Sequence, residues 1–152
     1  MHHLEPEEVM GFFEEAYRVL RPGGMIAVAD VRAEPPVAHS LNGPVDAWTE
    51  TGHQGRFFPD GVLRSYLTAA GFIDVQEQWE VFTWDYPDLA TMINFTRLLF
   101  GLTRATPSQM EGAIRQYLDP TFGPEGAHMG WSLLYASAVK PGRGGHKSRA
   151  DG

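Results

Sequence analysis

Asp30 closes a short apolar run at residues 25–29, and Arg32 follows it two positions on. Ligands of open α/β sheets bind outside the carboxyl ends of the strands, so a carboxylate and a guanidinium placed there point toward an expected pocket. Asp30 could orient a hydroxyl or an amine, or act as a base; a solvated turn carboxylate is the plainer alternative. Further along, Trp48, His53, Arg56 and Phe57 lie in a stretch punctuated by Pro35, Pro36, Gly43, Pro44, Gly52 and Gly55. Aromatic and cationic side chains in such a loop could close over a bound small molecule, or simply anchor a surface loop. His2 and His3 stand at the amino end. Neighbouring side chains do not share one face of a regular element, so no metal site is expected from this pair. No residue is singled out as catalytic.

Composition narrows the classes. The chain has 152 residues, a formal net charge of -7 and no cysteine. One domain with a real core is possible at this length. The acidic balance argues against a general nucleic-acid binder, which needs a basic surface to neutralise phosphates. It also argues against binding to anionic membranes. Without cysteine there is neither a disulfide framework nor a thiolate zinc site, which fits a cytoplasmic location. No apolar run approaches the roughly 20 residues that span a bilayer, and the amino end lacks the basic and apolar regions of a signal peptide. Residues 142–152 are polar, glycine-rich and basic, and a disordered tail is expected there.

Periodicity predicts the elements that would position these residues. Residues 6–21 read as a helix: Pro6 suits its first turn, and Glu5, Glu7 and Glu8 complement the dipole. Val9, Phe12, Phe13, Ala16, Tyr17 and Leu20 form its apolar stripe, and Pro22-Gly23-Gly24 stops it. Residues 25–30 read as a strand buried on both faces. The following stretch to Phe58 reads mainly as loop, with one helical turn near residues 45–48. A helix is predicted over residues 59–70 and an alternating strand over 73–82, where Glu77 breaks the pattern. Two more helices are predicted, over 88–102 and from a capping box at Thr106 to Leu118. A final strand over 131–139, apolar on both faces, belongs inside a sheet.

This order of elements resembles the class I S-adenosylmethionine-dependent methyltransferases. The resemblance rests on His2-His3-Leu4, on the helix ending Tyr17-Arg18-Val19-Leu20-Arg21-Pro22-Gly23-Gly24, and on the strand that Asp30 closes. It continues through Leu67-Thr68-Ala69-Ala70-Gly71-Phe72 to Ala136-Ser137-Ala138-Val139-Lys140-Pro141. It implies the C-terminal part of such a domain over residues 1–141: an α/β, Rossmann-like partial sheet of strand order 5-7-6 with the last strand antiparallel. Helices on both faces and a helical insertion at about residues 86–119 complete the expected fold.

The same resemblance places His2 and His3 near the methionine end of the cofactor. It leaves Asp30, Arg32, Trp48 and His53 as candidate substrate contacts. The family's glycine-rich loop after its first strand, and the acidic residue that holds the cofactor's ribose, match nothing here. Met1 is therefore expected to follow a missing cofactor-binding half. The function implied is methyl transfer from S-adenosylmethionine to a small-molecule acceptor, by a partial domain that is inactive in isolation. An interaction module that pairs through an exposed sheet edge is the alternative, with self-association through residues 25–29 as its expected signature.

Overall fold

The computed structural model describes residues 1–34 and 36–142. Its elements are α1 (Pro6–Val19), β1 (Met25–Asp30), α2 (Val37–Ser40), a π-helical turn (Leu41–Val45), α3 (Asp46–Trp48), α4 (Val62–Ala69), β2 (Ile73–Tyr86), α5 (Leu89–Phe100), α6 (Pro107–Tyr117), β3 (Thr121–Gly123) and β4 (Gly126–Val139). Residues 143–152, most of the expected tail, lie outside the described residues.

The sheet runs β1-β4-β2, with β3 paired to β4 as a short hairpin. Both β1 and β2 pair antiparallel with β4, so they run parallel to each other. The apolar last strand thus lies between the other two long strands. It begins five residues earlier than its sequence suggests, and β2 extends to Tyr86 rather than to residue 82. The two form one continuous ladder, from Gln76 opposite Ser137 to Tyr86 opposite Ala127. Mutual pairing carries the ladder through Gly130, opposite Thr83, where local propensity for a strand is low.

The long ribbon buries opposite faces in its two halves. Near β1, Leu134, Ala136 and Ala138 face α1 and α4, where Val9, Phe13, Leu63 and Leu67 complete one core. Toward the other end Ala127, Met129 and Trp131 turn the alternate face to α5, α6 and the segment around α2. Strand alternation forces this, because residues of even and odd number in β4 point to opposite sides. Helices therefore cover both faces, but at different ends. The expectation that β1 is buried on both sides fails for the same reason. Ile26 and Asp30 are buried, whereas Met25, Ala27 and Ala29 face outward with no helix above them among the described residues.

Two local departures have clear causes. Residues 37–48 form an almost unbroken helical segment instead of a loop, with Pro44 inside the π-helical turn. Proline lacks an N–H for the ladder, and a wider turn accommodates the loss. Burial of Val37, Ala38, Leu41 and Val45 against the insertion stabilises what Pro and Gly disfavour. Glu77, the residue that interrupts the pattern of β2, caps the start of α4: its carboxylate accepts from the Gly61 N–H at 2.5 Å and the Arg64 N–H at 2.8 Å. The predicted capping box at Thr106 and Gln109 is present. Among the described residues no helix is long and apolar enough to cross a membrane.

Candidate functional site

The carboxyl end of β1, the amino-terminal turn and the loop after α3 meet at one place. β1 carries Asp30 to the edge of the core, where it is buried. Residues 1–4 turn back over it, closed by the Leu4 N–H donating to the Met1 carbonyl at 2.8 Å. The Asp30 carboxylate accepts from the His2 main-chain N–H at 3.1 Å, and from the Val31 N–H at 2.7 Å. Its Oδ1 lies 2.5 Å from His2 Nδ1, and its Oδ2 lies 2.9 Å from the Met1 amino group. Burial alone would push the Asp30 carboxyl up; hydrogen bonds from His2, the amino terminus and the Val31 amide, with the His2 charge, outweigh it and bring it down to about 2. The His2 Nδ1 is thus engaged by the carboxylate, and its Nε2 has no hydrogen-bond partner among the described residues.

His53 reaches the same place from the loop. Its main-chain N–H donates to Asp46 Oδ1 at 2.6 Å, which ties the loop back to α3. Gly52 makes that turn possible: its φ is +78°, and a Cβ there would stand 2.8 Å from Asp46 Oδ1. Asn42 fixes the next turn by exchanging two hydrogen bonds with the main chain of Gly55, at 2.7 and 2.8 Å. The Arg56 N–H donates to the His2 carbonyl at 2.8 Å, joining loop and amino-terminal turn directly.

Three imidazoles come together as a result. The ring centroids of His2 and His3 are 4.2 Å apart, those of His3 and His53 4.8 Å, and those of His2 and His53 5.3 Å. Phe57 lies against them, 5.2 Å from the His2 ring. Burial lowers the His53 pKa, with His2 and His3 adding to the effect against the opposing pull of its own main chain and of Asp46. The His3 pKa is lowered too, first by burial and then by His2 and the amino terminus, with Asp30 opposing. His53 Nδ1 is buried and has no hydrogen-bond partner among the described residues. His3 and His53 line a cleft of about 730 Å³, together with Thr49, Glu50, Thr103 and Phe100. The far wall of this cleft is contributed by the end of α5, so the helical insertion shapes it.

The other expected site residues are placed differently. Asp30 is consumed by the amino-terminal turn and acts as its anchor. Arg32 does not line the cleft: its guanidinium pairs with Asp60 and Glu34 and lies over the Trp79 ring. Trp48 packs against the core beneath the insertion, and its carbonyl accepts from the Arg104 N–H at 3.1 Å. Only His3 and His53, of the residues singled out in the sequence, face the cleft. Asp46 and Asn42 escaped notice because single polar residues before a Gly-rich turn carry no periodic signal. Glu50 and Thr103 line the cleft from segments more than fifty positions apart.

These residues do not by themselves make a site for S-adenosylmethionine. Among the described residues two strands lead into helices, β1 into α2 and β2 into α5, and neither connection contains a glycine. Close main-chain approach to a nucleotide moiety needs such a loop.

No protein-family model matches the sequence, and no curated protein matches it. Solved structures share its fold. A candidate methyltransferase from Bacillus halodurans C-125 aligns with 92% of this chain at 18% identity and a TM-score of 0.52. The YcgJ protein from Bacillus subtilis aligns with 92% of it at 14% identity and a TM-score of 0.57. The chain spans 60% of the length of each of these structures. At such identities the likeness concerns the fold.

Proposed function

We propose that the chain is the acceptor-binding part of an S-adenosylmethionine-dependent methyltransferase acting on a small molecule. On this reading β1, β4 and β2 are strands 5, 7 and 6 of the family's sheet. The glycine loop and the ribose-binding carboxylate belong to a complementary segment. The carrying observation is the cleft at the carboxyl end of β1, walled by the amino-terminal turn, the His53 loop and the helical insertion, within a fold shared with a candidate methyltransferase. Its lining mixes hydroxyls, imidazoles, one carboxylate and an aromatic ring, a composition suited to a polar small molecule.

The sulfonium of the cofactor supplies an electrophilic methyl group. What remains for this chain is to hold the acceptor atom in line and to exclude water. Thr49, Glu50 and Thr103 offer the polar contacts, while Phe100 shields one side. The Asp30–His2 pair keeps the turn that carries His3 in place.

The test begins with the coding DNA upstream of Met1. An in-frame strand, glycine loop and helix there allows the longer chain to be made and assayed with labelled S-adenosylmethionine. Cofactor binding by that chain, with acceptor methylation reduced by His3→Ala or Thr103→Val at unchanged cofactor affinity, is the expected result. Methylation indifferent to both changes would remove the cleft from the reaction.

A second reading has its own observation. The outer edge of β1 pairs with no strand among the described residues, and Met25, Ala27 and Ala29 are exposed beside it. An interaction module that associates with a second copy of this chain through that edge would look the same. Absence of an upstream cofactor segment favours it.

A further inference from the structure

We propose that His2, His3 and His53 form a binding site for a divalent transition metal of the zinc class, with its remaining coordination position open to the cleft. A ring nitrogen of each of the three lies within 4.8 Å of the others. Around a tetrahedral zinc with Zn–N bonds near 2.0–2.1 Å, ligand nitrogens stand roughly 3.3 Å apart. The rings therefore need to close by only about 1–1.5 Å. His3 is exposed on a turn and has room to do so.

Two further features point to a ligand. His2 Nδ1 lies 2.5 Å from the Asp30 carboxylate, a contact that fixes the ring and leaves Nε2 without a partner among the described residues. A carboxylate behind an imidazole is the arrangement that orients metal-binding histidines and raises their basicity. His53, held through its main chain by Asp46, keeps Nδ1 buried without a partner among the described residues. A buried polar atom left unsatisfied is costly, and a bound metal drawing the ring round would remove that cost.

Three imidazoles without thiolates suit zinc, nickel or copper rather than calcium or magnesium. Three protein ligands with an open fourth position also leave room for a water or for a heteroatom of a molecule in the cleft. Adjacent histidines fail to share a face only in a regular helix or strand. Residues 1–4 form a turn, which frees both rings to converge on His53. The inference stands apart from methyl transfer, since the site binds metal whether or not the chain ever meets a methyl donor.

The test uses the full chain without an affinity tag, titrated with cobalt(II) and then with zinc. One cobalt per chain is expected, displaced by one zinc. In the wild type, paramagnetic broadening should reach the ring protons of His2, His3 and His53 and spare those of His39 and His128. His53→Ala should weaken zinc binding by at least about tenfold, and Asp30→Asn by about tenfold as well. His128→Ala, which alters only the exposed pair with Asp85, should leave it unchanged. Failure to bind either metal overturns the proposal. So does binding that broadens only His2 and His3 and is indifferent to His53→Ala, because the amino-terminal residues alone would then be chelating.

Discussion

Asp30 holds His2 at two points, its Oδ2 accepting from the main-chain N–H at 3.1 Å and its Oδ1 from the imidazole Nδ1 at 2.5 Å. The end of β1 and the amino-terminal turn are thereby one unit, although twenty-eight positions separate them. Asp30→Asn removes the charge that several donors share. We expect a loss of about 2–3 kcal/mol in urea unfolding, because a buried ionic group with well-made hydrogen bonds is costly to break from one side. Proton spectra should show the His2 and His3 rings released from their present environment. An unchanged unfolding midpoint would mean that the turn is held by other contacts.

Glu77 should matter more than its place on a half-exposed strand suggests. It supplies the cap that the first residues of α4 do not supply for themselves. Glu77→Ala is expected to cost about 1–2 kcal/mol, in the range of a lost helix cap. The amides of Gly61 and Arg64 should lose protection from hydrogen exchange while those of α1 keep theirs. Equal protection in the variant would refute the capping role.

Tyr86 is buried with no hydrogen-bond partner for its hydroxyl among the described residues. Burial, with a smaller push from the Asp85 charge, raises its phenol to about 12. The unfolded chain ionises first, near pH 10. The contribution of Tyr86 to stability is therefore complete below pH 10 and falls as the pH rises from about 10 toward 12. Tyr86→Phe removes an unsatisfied group and should be no less stable at pH 7. Its advantage over the parent chain should widen between pH 10 and 12 in denaturant midpoints measured side by side. A constant difference across that window would contradict the assignment.

Ala27 faces outward from β1, beside the strand's unpaired edge. If that edge mediates association, Ala27→Lys should shift sedimentation toward the monomer with little change in the unfolding midpoint, since the side chain is exposed. A parent chain that stays monomeric at high concentration would instead remove the edge as a contact.

The amino-acid sequence by itself determined most of the elements and much of their order. Apolar spacing marks α1, α4 and α5, the Thr106–Gln109 capping box marks the start of α6, and Pro22-Gly23-Gly24 separates α1 from β1. These signals are local, acting within a turn or two of chain, so they survive without knowledge of neighbours. The inward position of β4 was also legible, because its two faces are both apolar. Only the tertiary structure decided which face is covered at which end. It made one helical segment of residues 37–48 despite Pro44, by burying Val37, Leu41 and Val45 against the insertion. It also turned Glu77 from an irregularity into a cap. The site depends on the same long-range closure: His2 is joined to Asp30 across nearly thirty residues, and His2 and His3 meet His53 across fifty. Sequence spacing can place side chains on the face of a single element, but it cannot bring a turn, a strand end and a loop to one point. Packing and the buried Asp30 carboxylate do that.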